Sequence, residues 1–210
     1  MGSQFTSVKN SCMLNSIQSL QTIMEILLVT INRTIQRIFD RGYSRVDLIR
    51  LRDNALAEAA KGSVLALEVI KAIDSTGVPP KDRKMAFMGF CPAGDIKNRL
   101  DVKWIAEGIC EFGFFGSEHQ HDRFAEIMVG DTVILKKREQ FGETMRLYAY
   151  GLVAEVIEIG ARLRMDWKSS GKEIVVPLMG CNSTVDMKSI ETVVRAMPKE
   201  FWEWMGEPKS

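Results

Sequence analysis

The sequence predicts an α+β protein: an N-terminal antiparallel helical hairpin followed by a mixed β pseudo-barrel with short helices. Three observations lead there. Residues 1–77 contain no proline, whereas all six prolines lie from Val78 onward. Before that boundary, apolar residues recur at intervals of three and four, the period of one helix face. After it they fall in short runs rich in β-branched and aromatic residues, separated by turn signals. The 210 residues suffice for one large core or two small ones. They divide into a hairpin (1–77), a linker and lead-in segment (78–100) and a β-domain (101–210).

In the first helix Ile17, Leu20, Met24, Leu27, Ile31, Ile35 and Ile38 form one stripe, with Asn10 or Ser11 as cap and Gly42 as stop. Ser44, with Asp47 three places on, opens a second long helix through an Asp variant of the capping box. Val46, Ile49, Leu56, Leu67, Ile70 and Ile73 supply its apolar positions, and Ala55, Ala59 and Ala60 permit close approach. A connection of two or three residues makes the pair antiparallel. At ~1.5 Å per residue each helix spans roughly 40 to 45 Å. The first carries a second stripe, Met13, Ile23, Ile26 and Val29. One partner helix cannot bury both, so a homodimer through a four-helix bundle is expected. The alternative is that this stripe packs on the chain's own C-terminal half.

"STGVPPKDRK" (Ser75 to Lys84) reads as the connector, since Pro79 and Pro80 cannot continue a helix. "HDRFAEIM" reads as a helix led by Asp122. Strands follow at Asp131–Glu139, Arg146–Ile159, Ala161–Lys168 and Glu173–Leu178, where Pro177 marks an edge or an end. Along Ala161–Lys168, Leu163, Met165 and Trp167 share one face, and Arg162, Arg164 and Asp166 the other. "SIETVVRAM" reads as a further strand and "KEFWEWMG" as a closing helix.

Composition limits the function classes. Net charge is +1, from 28 basic and 27 acidic residues, so nucleic-acid binding requires a local basic patch. Cys12, Cys91, Cys110 and Cys181 form no CxxC pair, and Met1–Ser11 lacks a secretory pattern. Reduced thiols in a cytoplasm are expected. The most apolar run, Ile23–Ile31, includes Glu25 and is far short of the ~20 residues that span a bilayer.

No catalytic signature stands out. "GFFGSEHQ" lacks the context of a phosphate-cradling loop. His119 and His121, the chain's two histidines, have no third ligand by spacing, so no metal and no cofactor are expected. Cys110 alternates within an apolar run, the pattern of a core thiol. Phe114 and Phe115 are adjacent, so on a strand they cannot both enter the same core.

Read in order, "WIAEGICEFGFF", "VGDTVILKK", "MRLYAYGLVAEVIE", "RLRMDWK" and "IETVVRA" resemble the PUA-like superfamily, most closely its EVE-type branch, over about residues 100–200. The motif positions are Gly130-Asp131, Tyr150-Gly151-Leu152-Val153 and Met165-Asp166-Trp167. The resemblance implies a PUA/EVE-like pseudo-barrel that binds DNA or RNA without catalysis and accepts a modified or flipped base in an aromatic pocket. It implies Trp104, Phe112, Phe114 and Trp167 as pocket wall, with Asp166 or Glu107 bonding the base edge. Lys136, Lys137, Arg138, Arg146, Arg162 and Arg164 would meet the backbone. The hairpin is not part of that pattern, and no effector nuclease or ATPase domain is expected within these 210 residues. Two other readings remain: an interaction or regulatory scaffold without a ligand pocket, and a small hydrolase of the ASCH type, whose catalytic set no motif here supplies.

Overall fold

A computed structural model of the chain describes residues 22–206 except 24, 27, 93–94, 114–117, 140–141 and 169–170. Much of the expected first helix, with Met13, Ile17 and Leu20, lies outside the described residues. Helix α1 (28–39) turns Ile31, Ile35 and Ile38 toward the next two helices. Arg41, not Gly42, takes the left-handed backbone after it (φ 54°).

The single long second helix is not formed. It divides into α2 (Arg45–Ala59) and α3 (Val64–Thr76), and these two make the hairpin. The division follows from "KGS": Gly62 adopts φ 90°, and the Ser63 side chain accepts from Ala66 N–H to start a new helix. Ser44 caps α2 as anticipated, accepting from Asp47 N–H while donating to Asp47 Oδ2 at 2.8 Å. Leu48, Ala55, Val69, Ala72 and Ile73 bury with Ile38 and with Met128 of the second half, so the hairpin shares a core with the β-domain.

Seven strands form one mixed sheet: β1 (Lys84–Gly89), β2 (Ile109–Glu111), β3 (Thr132–Arg138), β4 (Thr144–Glu158), β5 (Arg162–Lys168), β6 (Ile174–Pro177) and β7 (Val185–Ser189). The order is β2-β5-β4-β3-β1-β7, and β6 pairs with the first residues of β4. β1 and β3 are parallel, and every other pair is antiparallel. Register shifts in β3 and β4 mark bulges, which add twist and curvature. Among the described residues no pairing returns from β7 to β2 or β6, so the sheet stays open. The α+β class and the mixed sheet are as expected, and the pseudo-barrel is corrected to a sheet not closed into a barrel.

Two further expectations change. The segment 78–100, read as a linker, supplies β1, which lies between β3 and β7. Met85 and Phe87 enter one core while Ala86 and Met88 enter the other. A strand buried on both faces reads as a continuous apolar run and lacks the alternation that reveals a strand. "SIETVVRAM" is helix α6 (Ile190–Ala196), capped by the Ser189 side chain accepting from Thr192 N–H, and the strand is the preceding β7.

Helices cover both faces. α6 and α7 (Lys199–Trp204) contribute Val193, Phe201, Trp202 and Trp204 to one core. α4 (Asp101–Glu107) and α5 (Glu118–Ala125) contribute Trp104 and Phe124 to the other. No helix among the described residues is long and apolar enough to cross a membrane.

One carboxylate joins the two halves. Asp131 is fully buried, and Arg45 of α2 clasps it with two 2.7 Å bonds. It also accepts from the backbone N–H of Lys84 (2.8 Å) and Met128 (3.0 Å).

Candidate nucleic-acid interface

Strand alternation on β5 sorts the predicted site residues. Leu163 and Met165 are buried and Trp167 is half-buried, whereas Arg162, Arg164, Asp166 and Lys168 are exposed. Neighbouring strands extend that solvent face. Thr132 of β3, Leu152 of β4 and Asp166 stand in one row, and Tyr150 stands opposite Lys168 in the next. Arg164 and Arg162 pair across to Ile109 and Glu111 of β2. Arg162 bonds Glu111 at 2.5 Å, and Arg164 bonds Glu155 at 2.7 Å. Lys168 and Asp166 hold no ion pair among the described residues.

The end of α7 covers only part of this face. Where it stops, a cavity of about 320 Å³ opens between Thr132, Tyr150, Leu152, Lys168, Met205 and Gly206. The Tyr150 hydroxyl donates to the Met205 carbonyl at 2.6 Å, and its ring lies 5.1 Å from Trp204. These contacts fix the ring as one wall. Gly206, at φ 70°, turns the chain beside it. The volume is at the lower end for small-ligand sites, which run about 300–1,000 Å³. Chemically the cavity offers an aromatic ring, a hydroxyl, an apolar side chain and an ammonium, with the Asp166 carboxylate in the adjoining row.

Trp104, Phe112 and Trp167, expected to wall a pocket, lie on the other side of the sheet. Trp104 is fully buried beneath α4. Phe112 stacks on Phe124 at 5.6 Å. Trp167 Nε1 donates to the carbonyls of Trp104 (3.1 Å) and Ile109 (3.0 Å), closing the turn from α4 into β2. Its ring also lies over Gly151, where an added Cβ would come within 2.8 Å of the indole and 2.9 Å of the Asp166 carbonyl. Phe114 lies outside the described residues, as does Phe115. Glu107 is exposed on α4, 3.8 Å from Lys103 and away from the Tyr150 cavity's lining. Packing explains the correction for Trp104: α4 needs one large apolar side chain to seal that core, and Trp104 supplies it.

The predicted basic residues separate as well. Lys136 is a buried structural cation, not a rim charge: its ammonium donates to the carbonyls of Cys181 and Ser183 (both 2.6 Å) and to Asp186 (3.2 Å). Burial holds it below the usual lysine range, with Asp186 opposing. The adjacent Cys181 thiol is pushed up to about 11 by burial, and burial also pushes Cys110 up. Neither has the depressed value of a reactive thiol. Lys137, Arg138 and Arg146 stand at the far end of β3 and β4, and Arg146 bonds Glu139 and Glu173. Arg162, Arg164 and Asp166 are therefore the predicted residues that share a face.

Tyr150, Lys168 and Thr132 escaped the sequence reading as site residues. Alternation held a signal for Lys168, which stands two places beyond Asp166 and so faces the same way. The cavity had none, because α7 and β3 form it from distant segments. Arg99 was also missed. It pairs with Asp101 and lies over the rings of Tyr148 (4.9 Å) and Phe90 (5.5 Å). His119 and His121 lie within α5, and His121 packs against Gly160. Comparison with protein-family models, with curated proteins and with solved structures found no match.

Proposed function

We propose that the protein is a non-catalytic nucleic-acid binder that receives a base in the cavity beside Tyr150, on the open sheet face that carries Arg162, Arg164, Asp166 and Lys168. One observation carries this reading: among the described residues, a base-sized concavity adjoins an aromatic ring and an ammonium with no ion pair. A base stacked on an aromatic side chain gains about 1–3 kcal/mol, and cations beside it hold the phosphates. Resemblance to PUA/EVE-type domains favours the same class and a modified or flipped base. The experiment titrates labelled single-stranded oligonucleotides, unmodified and base-modified, at about 50 and 200 mM salt. Tyr150→Ala is expected to weaken binding about 5- to 150-fold. Lys168→Gln, at an exposed site, is expected to lower the salt slope by about one. Absence of salt-dependent binding for every oligonucleotide would reject the reading.

The same proposal includes self-association. Ile23, Ile26 and Val29, three residues apart along the first helix, are 49–61% exposed, an apolar stripe of the kind that marks interfaces. Sedimentation of the wild type is expected to give a dimer, and Ile26→Asp a monomer. A monomeric wild type would remove dimerisation from the proposal. The burial of Trp104 and the internal stacking of Phe112 favour a second reading, a scaffold that binds only other proteins. The oligonucleotide titration separates the two.

A further inference from the structure

A second cavity, of about 330 Å³, lies where the hairpin meets the sheet edge. Its lining includes Arg45, Lys81, Arg83 and Lys84 with Ser189 and Glu191. Arg45 is neutralised by Asp131, and the Asp82 carboxylate, also in the lining, accepts from Arg45 N–H at 3.3 Å. The other cations are not matched in this way. Lys84 has only a 3.8 Å approach to Glu126, and Lys81 has no ion pair among the described residues. Arg83 is the telling side chain. Its guanidinium bonds no described residue, yet Nε is shielded from solvent and unpartnered. Such a buried donor costs about 1–3 kcal/mol, more when charged, unless something completes it. Gly130, at φ 90°, lies against this atom: an added Cβ would stand 3.2 Å from Arg83 Nε.

We infer that this cavity is a phosphate-group site, with Arg83 as the fork that grips the oxyanion and Lys81 and Lys84 as flanking charges. Planar guanidinium donors match phosphate oxygens in pairs, and ammonium groups add charge without fixing geometry. The nucleic-acid reading supplies the source. β1 and β4 lie two strand spacings apart, roughly 10 Å, and Arg83 and Tyr150 are offset by about four residues along the strands, roughly another 13 Å, since Tyr150 stands level with Phe87 through Ile134. One polynucleotide can therefore lay a backbone phosphate against Arg83 and a base beside Tyr150. A free phosphate ester is the other source of the same chemistry.

Calorimetry with inorganic pyrophosphate tests the site directly, and the salt slope of oligonucleotide binding tests its source. Arg83→Gln is expected to weaken pyrophosphate about tenfold or more and to lower the oligonucleotide salt slope by about one. Lys81→Gln, at an exposed position, is expected to weaken pyrophosphate without disturbing the fold. Pyrophosphate that fails to bind the wild type, or binds both cavity variants as tightly as the wild type, overturns the inference. Pyrophosphate binding lost in Arg83→Gln, with no oligonucleotide binding, upholds the phosphate site for a small ester and counts against the nucleic-acid reading alone.

Discussion

Replacement of Asp131 by alanine is expected to destabilise the protein by about 3–5 kcal/mol, the cost of leaving one member of a buried ion pair uncompensated. The carboxylate accepts two bonds from Arg45 and one each from the N–H of Lys84 and Met128. Its removal strands a guanidinium that is 5% exposed and deprives two backbone donors of their acceptor. Arg45→Met is expected to cost less, because Asp131 then keeps both backbone donors. Urea denaturation of the two variants measures the order, and hydrogen exchange should show α2 and the start of β1 losing protection together. Costs below about 1 kcal/mol for both variants would mean that the pair behaves like an exposed surface bridge.

Trp104→Ala is expected to cost about 3–5 kcal/mol, as for a large side chain removed from a packed core. Trp104→Phe should cost under about half of that, since the buried indole N–H has no hydrogen-bond partner among the described residues and a phenyl ring keeps most of the volume. The comparison bears on function as well as stability. If Tyr150 receives the base, Trp104→Phe leaves oligonucleotide affinity unchanged. A large loss of affinity in a variant that still melts like the wild type would move the site back to the α4 side of the sheet.

Patterns with a short period carried well from sequence to structure. The capping of α2 by Ser44 follows from a hydroxyl three residues before an acid. The alternation of β5 already put Asp166 and Trp167 on opposite faces. That separation alone prevents the two from lining one open pocket on the same side of the sheet. Where two signals competed, the reading failed locally. "KGS" sat inside a helical period and was absorbed into it, although Gly62 and Ser63 together specify a stop and a fresh start. β1 was hidden by its central position, which removes the polar positions that mark a strand.

The sequence by itself determined the type of most elements, the cap of α2 and the sidedness of β5, because these depend on residues within one or two turns of each other. It could not determine which face stays uncovered. Trp104 is core and Tyr150 borders a cavity because α4 lies over one face and α7 stops short on the other. Arg45 meets Asp131 across 86 positions, and Arg83 lines a cavity closed by Ser189 and Glu191. Those meetings are set by strand order and helix docking, in which distant segments compete for the same apolar surface, and no local spacing encodes the outcome.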